Sequence, residues 1–260
     1  MNNPLAPIDL SDSANQVVNN VTEPLAQNIG HTFGDIWFLV FGGISHAADK
    51  RKMKYAADLE KYHQELFQSI EQIPEEKRIE PSFQITAQAL ENSKYCVTSE
   101  TLRSMFVKLI SGTMHADQEP LTHPSFPEMI KQMSENDAHL LMELKRKSSS
   151  LPIAEFREKF NPDGSFIARY TNLYISDIFN IPLHECSVSL SSLERMGLVN
   201  ITYMEHIDNT NLYSPFYKTP TYASLSREIE SFNRDSCIDL KKGMCSITPL
   251  GNQFIGACVL

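Results

Sequence analysis

No apolar run in this 260-residue chain approaches the roughly 20 residues that a membrane-spanning helix needs. The most apolar stretch, Ile36–Ile44 (IWFLVFGGI), is about half that length and lies between Asp35 and Asp49. The residues Met1–Ser13 are polar and carry proline, which is not the charged-then-apolar pattern of a signal peptide. Cysteine is sparse and odd in number, with Cys96, Cys186, Cys237, Cys245 and Cys258 and no Cys-x-x-Cys pair. Free thiols in a reducing cytoplasm are therefore expected. Positive charge is also short: 23 Lys and Arg stand against 32 Asp and Glu, a net charge of −9. The deficit is shared, at −6 up to residue 132 and −3 beyond it. Strong non-specific nucleic-acid binding, which depends on neutralising phosphates, is disfavoured in both halves.

Familiar catalytic signatures are missing as well. There is no Gly-x-x-x-x-Gly-Lys loop to cradle phosphates and no Gly-x-Ser-x-Gly nucleophile elbow. His63-Gln64-Glu65 matches the His-x-Glu of zinc deaminases, but their Pro-Cys-x-x-Cys partner is absent. Glu60-x-x-His63 fits one half of a di-iron bundle motif that requires a second copy, and none is present. A histidine at the border of an apolar helix face is the simpler reading. Cys237-x7-Cys245 does not have the close-pair spacing of structural zinc ligands. No metal, cofactor or catalytic residue is implied, although catalytic groups can converge from distant positions.

What is present is a globular composition, 42% apolar and 21% charged, long enough for two domains. Residues 1–12 read as a loose tail. Apolar residues spaced by three and four over Ser13–Gly30 suggest a helix interrupted at Pro24. Gly34, Gly42 and Gly43 weaken a helix over Phe33–Ile44. Asp49–Ile73 is the clearest helix, with Met53, Ala56, Leu59, His63, Leu66, Ile70 and Ile73 along one face. Further helices are expected at Phe83–Lys94, Glu100–Met114 and His123–Met133, the last with Pro124 and Pro127 in its first turn.

Ser134 with Asp137 three residues later starts the next helix, Ser134–Arg146. Pro152–Phe160 reads as a second helix of this half, Asn161–Gly164 as a turn, and Cys186–Met196 as a third helix stopped by Gly197. Leu198–Tyr203 reads as a strand and Glu205–Lys242 as a long polar segment with one helix at Tyr222–Asn233. Cys245–Thr248 is a short strand, and Thr248-Pro249 begins the last helix. The order helix, helix, helix, strand, long loop, strand, helix is that of a winged helix. The expected fold is thus mainly α: a helical region over 13–133, then a winged-helix-like α+β domain over 134–260.

Three segments in order, GDIWFLVFGGISHAADKRKMKYAADLEKYHQEL (34–66), IPEEKRIEPSFQITAQALENSKYCVTSETLRSMFVKLISGTMH (73–115) and HPSFPEMIKQMSENDAHLL (123–141), are followed by ITPLGNQFIGACV (247–259). Together they resemble the abortive infection alpha family, a bacterial family of unknown biochemical function. The resemblance implies a cytoplasmic protein linked to antiphage defence, peripheral to the inner membrane if it docks there. It carries over no catalytic residues.

Two function classes follow. In the first, the chain acts by contact with a protein partner or an anionic membrane surface, through Trp37, Phe38 and Phe41 beside the cations Lys50, Arg51 and Lys52. Those cations sit at a helix N-terminus, where they oppose the macrodipole, so they do not stabilise that end. In the second, Cys186–Met196 is a DNA recognition helix with Arg195, and Lys241 and Lys242 form a wing. Glu185 and Glu194 beside Arg195 count against it. The oligomeric state is left open.

Overall fold

The computed structural model describes residues 31–41, 50–147, 150–161, 163–232 and 235–259. The expected tail over 1–12 and helix over 13–30 lie outside the described residues, as do Gly42–Ile44 and the side chains of Lys50, Arg51 and Lys52. The chain divides into two compact units: residues up to Gln132 together with those from Gly256 onward, and Met133–Ile255.

The first unit is helical. Its helices are α1 (His31–Phe41), α2 (Lys50–Glu71), α3 (Phe83–Ser93), α4 (Glu100–Gly112) and α5 (Phe126–Gln132). α2 packs on α4, while α3 contacts α1, α4 and α5. The expected stripe of α2 is buried at Leu66 and Ile70, with Tyr62 added to it. Beyond the helix, Arg78 caps the freed C-terminal carbonyls, donating from Nε to the Ile73 oxygen (3.0 Å) and from Nη2 to that of Glu71 (2.9 Å). Arg103 interrupts the apolar face of α4. It is buried and held by two bonds to the Glu65 carboxylate (2.8 and 3.0 Å) and one to the Val97 carbonyl (2.8 Å).

The second unit runs α6 (Glu135–Arg146), β1 (Ser150–Phe160), β2 (Phe166–Leu173), α7 (Leu183–Arg195), β3 (Val199–Thr202), α8 (Pro220–Ser231), β4 (Ser236–Ile247) and α9 (Pro249–Cys258), whose last residues belong to the first unit. Local signals hold well here. Ser134 and Asp137 form a reciprocal capping box at the start of α6. Gly197, with φ of 73°, closes α7: its amide bonds the Glu194 carbonyl and that of Leu198 bonds Leu193, a Schellman cap. Thr248 caps α9 by accepting from the Gly251 amide (2.9 Å).

Pro152–Phe160, expected as a helix, is strand β1. Its Ile153, Phe156 and Phe160 have helical spacing, yet the segment pairs with β4 at every position from Ser150 to Phe160. Such pairing outweighs a local pattern. The turn at Asn161–Gly164 connects β1 to β2, a strand not expected from the sequence, and β4 extends well beyond the expected Cys245–Thr248. The sheet is antiparallel throughout, in the order β2-β1-β4-β3. The helix–helix–helix–strand order expected for this half is therefore not the observed one. The unit remains α+β within a mainly helical chain.

One face of the sheet carries Ala154, Phe156 and Leu173 and is covered by the 3-10 segment Thr210–Lys218 and α8, through Tyr213, Phe216, Leu225 and Ile229. The Tyr213 hydroxyl, buried in this core, donates to the Gly243 carbonyl (2.7 Å) and accepts from the Ile207 amide (3.0 Å).

Candidate functional site

The first candidate is α1. Its sequence, HTFGDIWFLVF, places Phe33, Ile36, Trp37, Val40 and Phe41 at helical spacing on one face, and all five are buried. Trp37 is 5% exposed, with its ring 4.5 Å from Phe41, 5.8 Å from Tyr62 and 5.2 Å from His63. The expectation that Trp37 and Phe41 form a contact surface is therefore corrected. With so many apolar positions in eleven residues, the helix seats five inward and leaves the rest out. Phe38 (54% exposed) and Leu39 (76%) point away from the core. Asp35 is exposed too, and Lys54, at the start of α2, is exposed. The Lys94 ammonium lies 6.0 Å from the Phe41 ring centroid.

His63 takes the place expected of it, half-buried between Trp37 and Phe67. Its Nε2 has no hydrogen-bond partner among the described residues. Burial lowers the imidazole pKa below its ordinary value, and Glu60 partly offsets this.

The second candidate lies within the second unit and was not foreseen. Glu143, on α6, has a fully buried side chain. Its Oε1 accepts from the Tyr174 hydroxyl (2.5 Å) and the Asp177 amide (3.3 Å), and its Oε2 from the Ser176 hydroxyl (2.7 Å). Lys147 Nζ stands 3.7 Å from Oε1 and 2.6 Å from Asp177 Oδ1, which holds the Asp177 carboxyl below its ordinary pKa. Burial, then the Glu143 carboxylate, pushes the Tyr174 phenol far above the ordinary range. One turn back, His139 stacks on Phe179 at 4.3 Å. The segment joining β2 to α7 is thus held along α6 at His139, Glu143 and Lys147, over about two turns. That segment forms one wall of a cleft of about 330 Å³, with Ile175, Ser176 and Ile181 facing Thr219, Pro220 and Thr221. A glutamate between Leu140, Leu141 and Leu144 on an apolar helix face was the signal available in the sequence.

The residues expected of a DNA-reading helix and wing lie on different elements. Arg195 is exposed at the end of α7, whereas Lys241 and Lys242 lie inside β4, opposite Glu155 and Ala154. Lys242 covers the Tyr213 ring at 5.5 Å. The expected wing at these lysines is thus a strand paired with β1, whereas β3 pairs with β4 only from Met244 to Ile247.

Four thiols are buried and only Cys237 is exposed; burial pushes Cys186 and Cys245 up to about 12. Among the described residues no group of three His, Cys, Asp or Glu is placed to hold a metal ion. No helix among them is long and apolar enough to cross a membrane.

No curated protein matches the chain. A solved structure, an uncharacterized protein from the hydrocarbon-degrading marine bacterium Alcanivorax borkumensis SK2, is 17% identical. The similarity covers 54% of this chain and 92% of that one, with a TM-score of 0.33. The abortive infection alpha family model matches residues 54–258, and the chain belongs to that family.

Proposed function

We propose that this chain serves antiphage defence of the abortive-infection type, and that it acts by docking on an anionic membrane surface rather than by catalysis. The family supports the defence role. The docking reading rests on one observation: Phe38 and Leu39 stand exposed on a helix whose opposite face is buried. Four cations, Lys50, Arg51, Lys52 and Lys54, follow in the sequence at the start of α2. Burying two large apolar side chains is worth about 1.5–3 kcal/mol each, and each cation near an anionic leaflet about 1 kcal/mol. After the cost of ordering, that sum supports weak, reversible binding.

Flotation with vesicles containing anionic lipid tests this. The wild type is expected to float at low salt and to sediment with neutral vesicles, and Phe38→Glu/Leu39→Glu is expected to lose binding while keeping its melting temperature. A folded wild type that binds neither vesicle overturns the membrane reading.

A further inference from the structure

We infer that His63 is a proton-operated latch on α1: when the imidazole takes up a second proton, α1 leaves its seat and presents Trp37 and Phe41 to the anionic surface. This rests on the membrane reading above and supplies its regulation. α1 packs along α3, and toward α2 it makes contacts between rings. These are Trp37 with Tyr62 (5.8 Å) and with His63 (5.2 Å), and Phe41 with Tyr62 (6.4 Å). The imidazole is stacked on Phe67 (6.4 Å) as well, and its Nε2 is buried without a hydrogen-bond partner among the described residues. A neutral imidazole donates from one nitrogen, whereas imidazolium donates from both. Protonation therefore puts a charge, and an N–H with no acceptor, among aromatic rings. Release of α1 into water removes that cost.

The surrounding charges do not cancel the effect. Glu60, on α2, favours the proton and is outweighed by burial. On α1, Asp35 is exposed, and α3 brings a cation rather than an anion to the α1 rings, Lys94 beside Phe41 (6.0 Å). The seated imidazole thus holds a proton less tightly than a released one, so acid shifts the balance toward release. An anionic leaflet concentrates protons at its own surface about threefold, so the surface that the released helix enters also favours the proton.

Two readouts on the full chain keep the latch and the membrane reading apart. Without lipid, iodide quenching of Trp37 should rise at least about threefold between about pH 7.5 and about pH 5.5, with circular dichroism unchanged. With vesicles containing phosphatidylserine, binding by flotation should strengthen at least about threefold over the same range. Brominated acyl chains should then quench Trp37 at the lower pH only. His63→Gln and His63→Phe, which cannot take the proton, should show neither response. A wild-type Trp37 that stays protected from iodide at both pH values overturns the latch, as does a rise in quenching retained in both variants. A rise that tracks loss of helical circular dichroism is unfolding and overturns it too. Acid release of Trp37 in the wild type alone, with no flotation at either pH, upholds the latch and overturns the membrane reading.

Discussion

Replacing Glu143 with alanine should destabilise the second unit far more than the loss of a surface charge would. The carboxylate is the acceptor for two hydroxyls that are themselves buried, those of Tyr174 and Ser176. Alanine leaves both donors without an acceptor, in space that water enters poorly. An unsatisfied buried donor costs about 1–3 kcal/mol, so the pair costs roughly 2–6 kcal/mol. A domain of this size has about 5–15 kcal/mol to lose. Calorimetry of the full chain should show a transition lowered by roughly 10–20 °C. Adding Tyr174→Phe removes one orphaned hydroxyl, so the double variant should be more stable than the two single losses summed. The coupling should be of order 1–3 kcal/mol. A Glu143→Ala protein that melts within about 2 °C of wild type, or strict additivity with Tyr174→Phe, would refute the reasoning.

Three other outcomes follow from the structure. Trp37→Ala should destabilise the first unit by about 3–5 kcal/mol, since its ring packs on Phe41, Tyr62 and His63. The wild-type emission of this lone tryptophan should be blue and protected from iodide, whereas a red, quenched emission would contradict its burial. Because His63 is depressed by burial, its neutral form is the one that fits the fold. The unfolded chain therefore binds the extra proton first, and the first unit should lose stability as pH falls below about 6.5. Trp37 emission should shift red over that range, and His63→Gln should flatten the change. Gly251→Ala should cost about 3 kcal/mol, because a Cβ there would lie 2.0 Å from the Leu198 carbonyl oxygen. A melt unchanged by this substitution would show that the start of α9 is free to shift.

The elements legible in the sequence were those fixed by contacts within a few residues. Ser134 and Asp137 cap α6, Gly197 ends α7 in the left-handed region, and Thr248 with Pro249 starts α9. Each depends on a local hydrogen bond or a permitted φ, so residue type and spacing suffice. The regular apolar spacing of α2 was legible for the same reason. The strands were not. β1 has helical spacing, and what makes it extended is β4, which lies over 70 residues further along the chain and pairs with it throughout. β2 was missed because an edge strand needs little burial to be held and so shows no clean alternation.

The candidate sites divide in the same way. That residues 33–41 form an apolar element beside a basic one was visible, but which aromatics face inward depended on α1 seating Trp37 and Phe41 against Tyr62 and His63. Glu143 stood out only as a charge on an apolar face. Its meaning came from Tyr174, Ser176 and Asp177, more than 30 residues away, which supply the donors that make its burial tolerable. Caps and periodicity are encoded in neighbours along the chain, whereas strand pairing and the satisfaction of a buried charge depend on partners that only folding brings within reach.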